Sequence, residues 1–252
     1  PPFRAPERLS ANALVADGGE GQIAAVGTAR AAGAGVVVTS DVASDPNAIA
    51  SLFGLGAAHI VGVGDLGDPA TFAYRARVAA TGVDLPGGGQ ELLEGKAYVG
   101  LRGAPGAPEL GSLGAQDTSA TLERLRSLAT TAGEGSAATV VPTAVLLTTV
   151  ASSSPGADGS YSGKSALADV EEFVDAARDV GVSVLLTFQP GRQSMVEQVA
   201  LYDEVIARPN VGVALDPGWG LQPGEVPGSQ TGVVAADEVN AVVEHLAALT
   251  DA

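Results

Sequence analysis

The segment LDPGW (215–219) brings a carboxylate and an indole together directly after an apolar run. Trp219 is the only tryptophan in a chain of 252 residues, of which 4% are aromatic. An indole stacks on sugar rings and other planar ligands, and a carboxylate accepts hydrogen bonds from hydroxyl groups. We therefore interpret Trp219 as a ligand-binding residue and Asp216 as the candidate catalytic acid. The alternatives are that Asp216 only caps a turn and that Trp219 only fills the core.

Two further loops carry side chains that suit a binding site. The motif QPGR (189–192) follows another apolar run, so we expect Gln189 to face the ligand and Arg192 to clamp a carboxylate or orient a hydroxyl group. The loop ASSSPGADGSYSGK (151–164) is long for a connection between a strand and a helix, and it contains Tyr161. In the alternative interpretation, Arg192 pairs with a neighbouring acid such as Asp216, and the long loop is a flexible surface excursion.

Several kinds of chemistry are disfavoured by composition. The chain has no cysteine, and its only histidines are His59 and His245. A thiolate nucleophile, a Ser-His-Asp triad and a multi-histidine zinc site are therefore not expected, and we predict neither a metal nor a cofactor. Glycoside hydrolysis remains, because it needs two carboxylates about 5–10 Å apart. The candidates for a partner to Asp216 are Asp41, Asp65, Asp158 and Glu225.

The motif GVGDLG (62–67) has the outline of a dinucleotide-binding fingerprint. Such a match is weak here because 34 of the 252 residues are glycine. The following Asp68-Pro69 also explains the start of a helix without any ligand. We do not predict nucleotide binding.

Short apolar runs alternate with helical patterns along the whole chain, which indicates a largely parallel sheet. We predict an α/β fold of mostly parallel β/α repeats in an incomplete or irregular TIM-like barrel. An open doubly wound sheet and two subdomains are the alternatives. Ligands of such folds bind at the carboxyl ends of the strands, so we add Asp41 and Asp65 to the predicted ligand-binding residues. The candidate strands are AGVVVTS (34–40), HIVGVGD (59–65), AYVGLRG (97–103), VPTAVLLTTV (141–150), VSVLLTFQ (182–189) and VGVALD (211–216), with NALVAD (12–17) as a candidate seventh.

We predict an irregular segment over residues 1–20 and a single β/α domain over residues 21–252. A subdomain boundary near residues 86–96, in the stretch PGGGQELLEGK, is the alternative.

The formal charge of −16 argues against nucleic acid and against an anionic membrane surface as partners. No apolar run approaches the roughly 18 residues of a membrane span. The chain opens PPFRAPERLS, and we expect a mature form from which a signal or a lipid anchor was removed.

Four segments of the C-terminal half resemble a family of secreted actinobacterial cell-surface proteins, often predicted lipoproteins. They are VPTAVLLTTVASSSPGADGSYS (141–162), TFQPGR (187–192), GVALDPGWGLQPGEV (212–226) and QTGVVAADEVNAVVEHLAAL (230–249). RLS (8–10) and GAAHIVGVGDLGDP (56–69) more loosely resemble members with cell-wall-binding repeats. The resemblance covers roughly half of the chain. It implies an envelope location and a TIM-barrel-like, glycoside-hydrolase-like C-terminal domain in an uncharacterised family.

The chain departs from the pattern of this family at two positions. Relatives carry an acid where Thr187 stands and glutamate where Gly218 stands. If these two acids form the hydrolytic pair, the chain has lost catalysis and kept the pocket.

Three hypotheses follow. In the first, a secreted, envelope-associated protein binds a glycan or another small polar envelope component without efficient turnover. In the second, the protein is a glycoside hydrolase that uses Asp216 and a second carboxylate. In the third, it is a structural or protein-partner module with a vestigial site.

Overall fold

The computed structural model describes residues 11–250. The chain divides between Glu94 and Gly95 into two compact units, each with its own parallel sheet. The division falls within the 86–96 stretch. The predicted α/β class with mostly parallel strands is confirmed, and neither sheet closes into a barrel.

The first unit is a three-stranded parallel sheet in the order β2-β1-β3. Its strands are β1 Asn12–Ala16, β2 Gly35–Val38 and β3 His59–Val63, and its helices are α1 Ile23–Ala31, α2 Pro46–Leu55 and α3 Pro69–Ala80. Asp45 and Asp68 cap α2 and α3, because each carboxylate accepts a backbone hydrogen bond from the first turn that follows. One face of the sheet, with Val15 and Val37, packs with Ile49 of α2 in a core of buried residues.

The prediction of an irregular segment over residues 1–20 is wrong for residues 12–16. These residues form β1, the central strand of the first sheet, and Val15 is fully buried. A strand with neighbours on both sides and four buried residues in a row needs apolar side chains on both faces, which NALVA supplies. Residues 1–10 lie outside the described part of the chain.

The second unit is a four-stranded parallel sheet whose spatial order, β4-β5-β8-β9, follows the order of the chain. Its strands are β4 Lys96–Gly103, β5 Thr139–Leu147, β8 Ser183–Phe188 and β9 Val211–Leu215. A short antiparallel hairpin, β6 Thr149–Ala151 with β7 Ser162–Lys164, follows β5. The helices are α4 Thr118–Gly133, α5 Leu167–Asp179, α6 Met195–Ala200, α7 Asp203–Ile206 and α8 Ala236–Thr250.

The two faces of this second sheet differ. The strand register aligns Ala144, Val184 and Val211 on one face, where they pack in the large core that also contains buried residues of the helices. Unidirectional strand order with helices on one face is the arrangement of successive units in a TIM barrel. Arg102, in the next register position, belongs to the second face.

The topology of the strands is compatible with the predicted incomplete or irregular barrel. The first three strands form their own sheet, in an order that reverses at β1, and only the last four run in barrel-like succession. Strand order is decided by which crossovers pack best, and the apolar runs of the sequence do not encode it.

Candidate functional site

Three loops meet at the carboxyl end of the second sheet: residues 152–161, 189–192 and 216–221. Gly191 donates a backbone hydrogen bond to the carbonyl of Trp219 (3.1 Å) and accepts one from Leu221 (2.8 Å). Arg192 donates its backbone hydrogen to the carbonyl of Ser160 at 2.7 Å. The backbone therefore joins the three loops that the sequence predicts to be functional.

Gly191 is required at this junction. Its φ is +61°, and a Cβ built on it would lie 2.3 Å from the carbonyl oxygen of Ser160. Only glycine accepts both the left-handed conformation and the close approach of a neighbouring backbone.

Gln189 is buried, with 4% of its surface exposed, and its amide is held from both ends. Its Oε1 accepts from the backbone N–H of Ala151 (2.9 Å), and its Nε2 donates to Oδ2 of Asp216 (3.2 Å). The hydrogen bond to Ala151 defines which end of the amide carries the donor. Gln189 therefore presents a fixed N–H donor to the Asp216 carboxylate.

A polar network lies behind Gln189 in an otherwise apolar core. Gln198, which is fully buried, accepts from the Thr149 hydroxyl (2.9 Å) and donates to the Ser162 hydroxyl (3.0 Å). The Thr149 hydroxyl accepts from the backbone N–H of Gln189 (2.8 Å), and the Ser162 hydroxyl donates to the backbone carbonyl of Gln189 (2.8 Å). Sequence reasoning missed Gln198, although a glutamine inside the apolar period of a helix is a recognisable signal.

Asp216 continues the sheet by donating its backbone hydrogen to the carbonyl of Phe188 at 3.0 Å. Its carboxylate makes no capping hydrogen bond to the 3₁₀ turn Pro217–Trp219, which contradicts the capping interpretation. About a third of the side chain is exposed, and Oδ2 contacts Nη2 of Arg102 at 3.5 Å.

Arg102 lies on β4, at the opposite edge of the sheet from β9. The register aligns it with Val145, Leu185 and Gly212, so its guanidinium crosses the second face of the sheet to reach Asp216. Sequence reasoning missed Arg102 because it lies inside a strand, whereas the candidate residues lie in loops after strands. A cation within an apolar run was the available signal.

Arg192 does not pair with Asp216. It donates to the carbonyl oxygen of Glu225 (2.7 Å), and its guanidinium lies 4.4 Å from the centre of the Tyr161 ring. Tyr161 has a φ of +56° and is the one non-glycine residue with a positive φ among residues 11–250. Such a conformation costs on the order of 1–3 kcal/mol and concentrates at functional sites. The long loop connects the two strands of the β6–β7 hairpin and places Tyr161 beside Arg192.

Trp219 is half-buried and lies in the 3₁₀ turn that follows β9. It is neither sealed in the core nor fully exposed. The carbonyl group of Trp219 accepts from the backbone N–H of Gly191. The indole therefore belongs, with Asp216, to the loop cluster formed by residues 152–161, 189–192 and 216–221.

Asp158 and Glu225, the two candidate partner acids of the second unit, are each held by local partners. Asp158 accepts from Lys164 (2.6 Å) and from the backbone of Ser160 (3.0 Å), and the Lys164 hydrogen bond in particular lowers the pKa of Asp158 well below its usual range. Glu225 accepts from the backbone N–H of Gln222 at 2.7 Å. Neither carboxylate contacts Asp216 in the described part of the chain.

Asp41 and Asp65 lie in the first unit, in the segments that follow β2 and β3. Asp41 accepts from the backbone N–H of Ala43 (3.0 Å) and from the Ser44 hydroxyl (2.5 Å). Partial burial by itself would raise the pKa of Asp41, but these hydrogen bonds and the charge of Arg75 lower it. Asp41 thus has a local role in its own turn.

The backbone of Asp65 takes part in a turn that is held by the Asp17 carboxylate. Its backbone N–H donates to Oδ2 of Asp17 at 2.5 Å, and the N–H of Gly19 donates to the other oxygen at 2.8 Å. The hydrogen bond from Asp65 is the largest of the effects that lower the pKa of Asp17. Asp17 therefore occupies the crevice between β1 and β3 where an open α/β sheet would bind a phosphate, which removes support for the GVGDLG fingerprint.

Comparison of the chain with protein-family models, with curated proteins and with solved structures finds no match. The resemblance of the C-terminal motifs to envelope proteins therefore stays a prediction. Over residues 11–250, none of the helices has the length and apolar character that crossing a bilayer requires. In the same residues, no three His, Asp or Glu side chains are grouped as metal ligands.

Proposed function

We propose that the second unit binds a glycan, or another small polar component of a cell envelope, at the carboxyl end of its sheet, without efficient catalysis. The observation that carries the proposal is the fixed amide of Gln189, which is buried, hydrogen-bonded at both its oxygen and its nitrogen, and directed at the partly exposed carboxylate of Asp216. A secreted, envelope location is supported by the motif resemblance of residues 141–162, 187–192 and 212–226.

The chemistry of the loop cluster suits a sugar. Hydroxyl groups both donate and accept, so they need an acceptor such as Asp216 beside donors such as Arg102. Trp219 and Tyr161 supply aromatic surfaces in the same cluster, and aromatic faces pack against the apolar faces of sugar rings. Arg192 packs its guanidinium against the Tyr161 ring and adds a further donor.

Efficient hydrolysis is not part of the proposal, because a glycoside hydrolase needs a second carboxylate positioned across the scissile bond. Asp158 and Glu225, the candidate partner acids of the second unit, are held by their own local partners. In the described part of the second unit, the partners of the Asp216 carboxylate are an amide and a guanidinium.

The test is a glycan array of soluble cell-wall fragments and neutral polysaccharides, run together with a hydrolysis screen of the same compounds. We expect wild-type protein to bind at least one glycan and Asp216→Asn to bind it about ten-fold more weakly, as for loss of a charged hydrogen-bond acceptor. Asp179→Asn is the matched control, since Asp179 is an exposed acid that ends α5.

Two results would count against the proposal. Absence of binding to every glycan would refute glycan recognition. Turnover by the wild type that disappears in Asp216→Asn would show that the protein is a hydrolase.

A further inference from the structure

The Arg102–Asp216 pair spans the second face of the second sheet and is weakly held. One nitrogen of Arg102 approaches one oxygen of Asp216 at 3.5 Å, and the side chains are 51% and 32% exposed. An exposed pair of this kind contributes about 0–1 kcal/mol to stability, so a ligand can replace it at little cost.

Both members of the pair keep unused hydrogen-bonding capacity. A guanidinium has five N–H donors, and a single nitrogen of Arg102 is engaged here. Oδ2 of Asp216 takes both described contacts, from Gln189 and Arg102, while Oδ1 accepts from no described residue. Gly218 lies beside Oδ1, since a Cβ built on it would be 3.7 Å away, so no side chain covers that oxygen from this position.

We propose that this pair recognises a neutral sugar through two adjacent hydroxyl groups, a vicinal diol. One hydroxyl donates to Oδ1 of Asp216 while its own oxygen, or that of its neighbour, accepts from the guanidinium of Arg102. The inference rests on the glycan-binding function proposed above and names the class of sugar.

Charge favours a neutral ligand over an ionic one. A carboxylate that binds Arg102 would lie beside the negative charge of Asp216, and an ammonium that binds Asp216 would lie beside the positive charge of Arg102. The formal charge of −16 on the whole chain further disfavours anionic polymers. A diol satisfies both members of the pair at once and brings no charge.

The test compares three soluble polysaccharides by affinity electrophoresis with the full chain. Dextran, a 1,6-linked glucan, carries vicinal diols on every unit. Laminarin, a 1,3-linked glucan of the same neutral sugar, lacks them along its chain. Polygalacturonate carries vicinal diols together with carboxylates.

We expect wild-type protein to prefer dextran over both other polymers by roughly ten-fold, the effect of one or two hydrogen bonds to charged groups. Arg102→Lys keeps the charge but replaces the fork of donors with a point charge, so it should abolish the preference for dextran over laminarin. Arg124→Lys, on α4, is the matched control and should keep the preference. If the unfolding transition followed by Trp219 fluorescence is the same in Arg102→Lys as in the wild type, the substitution leaves the fold intact.

The outcomes separate the two proposals. Binding to array glycans without a preference for dextran over laminarin would overturn the diol inference and leave glycan binding standing. Tighter binding to polygalacturonate that is lost in Arg102→Lys would also overturn it, in favour of an anionic ligand. If no glycan binds at all, the proposed function itself has failed.

Discussion

Gly191→Ala should separate the three loops of the cluster, because their backbones approach each other at this glycine. Its N–H and carbonyl are bonded to Trp219 and Leu221, and its Cα faces the Ser160 carbonyl. A methyl group at this position would lie 2.3 Å from the Ser160 oxygen, much closer than van der Waals contact allows. The backbone has to move, since no side-chain rotation relieves a contact between a Cβ and a carbonyl group.

The magnitude has two parts. Alanine in a left-handed conformation costs about 1–2 kcal/mol, and overpacking costs about 1–3 kcal/mol more. We therefore expect Gly191→Ala to lower the free energy of unfolding of the second unit by about 2–5 kcal/mol. Binding should be lost as well, because relief of the clash separates the 189–192 turn from the hairpin loop.

Gly159→Ala is the matched control. Gly159 lies in the same hairpin loop and has a φ of +69°, but a Cβ built there has no atom within 4 Å. This variant carries the conformational cost without the clash, so it should lower the free energy of unfolding by about 1–2 kcal/mol and keep ligand binding. The difference between the two variants measures the close approach at Gly191.

Urea unfolding followed by tryptophan fluorescence is the appropriate assay. Trp219 is the only tryptophan and lies in the loop cluster, so its emission reports on this part of the second unit. Equal destabilisation by Gly191→Ala and Gly159→Ala would show that the backbones are not in close contact, and would refute the junction of the three loops.

Two further predictions concern titration and charge. Burial raises the pKa of Tyr202 to about 12 from 10.0, so its contribution to stability, present below pH 10, should be lost as the pH rises from 10 to about 12. Tyr202→Phe should remove this alkaline loss in urea titrations and cost about 1 kcal/mol at neutral pH, because the hydroxyl donates to the Ser165 carbonyl at 2.7 Å. An identical alkaline loss in Tyr202→Phe would contradict this. Gly218→Glu should fold, because its Cβ would make ordinary contact with Asp216 at 3.7 Å. At pH 7 it should weaken glycan binding several-fold more than Gly218→Gln, because like-charge repulsion displaces the Asp216 carboxylate from the position in which it accepts from the ligand. Equal binding constants for the Glu and Gln variants would exclude the repulsion.

The strands were predictable because their signal is local. The apolar runs AGVVVTS, HIVGVGD and VSVLLTFQ correspond to β2, β3 and β8, and the strands β4, β5 and β9 were found in the same way. Strands covered on both faces show as continuous β-branched stretches in the sequence. The division into two sheets was not predictable from these runs, since it depends on which neighbour each strand chooses.

The site was predictable where a single rule held. Gln189, Asp216 and Trp219 follow strands of one sheet, so the rule that ligands bind at carboxyl ends placed them together. The same rule also selected Asp41 and Asp65, which follow strands of the first sheet, because it says nothing about whether two strand ends belong to the same sheet. The rule could not find Arg102, because this residue lies within a strand and its guanidinium reaches Asp216 across the face of the sheet.

The network behind Gln189 is the feature that a purely structural role explains least well. Thr149 and Gln198 are fully buried, and each polar group in a core needs a partner that an apolar side chain of the same size would not need. Leucine at position 198 would fill the volume without that requirement. The network nevertheless holds Gln189, whose side-chain nitrogen donates to the partly exposed carboxylate of Asp216. The buried polar network and the strained backbone of Tyr161 are two destabilising features at the same end of one sheet. Such features are expected where the rigid positioning of polar groups for a ligand outweighs their cost to stability.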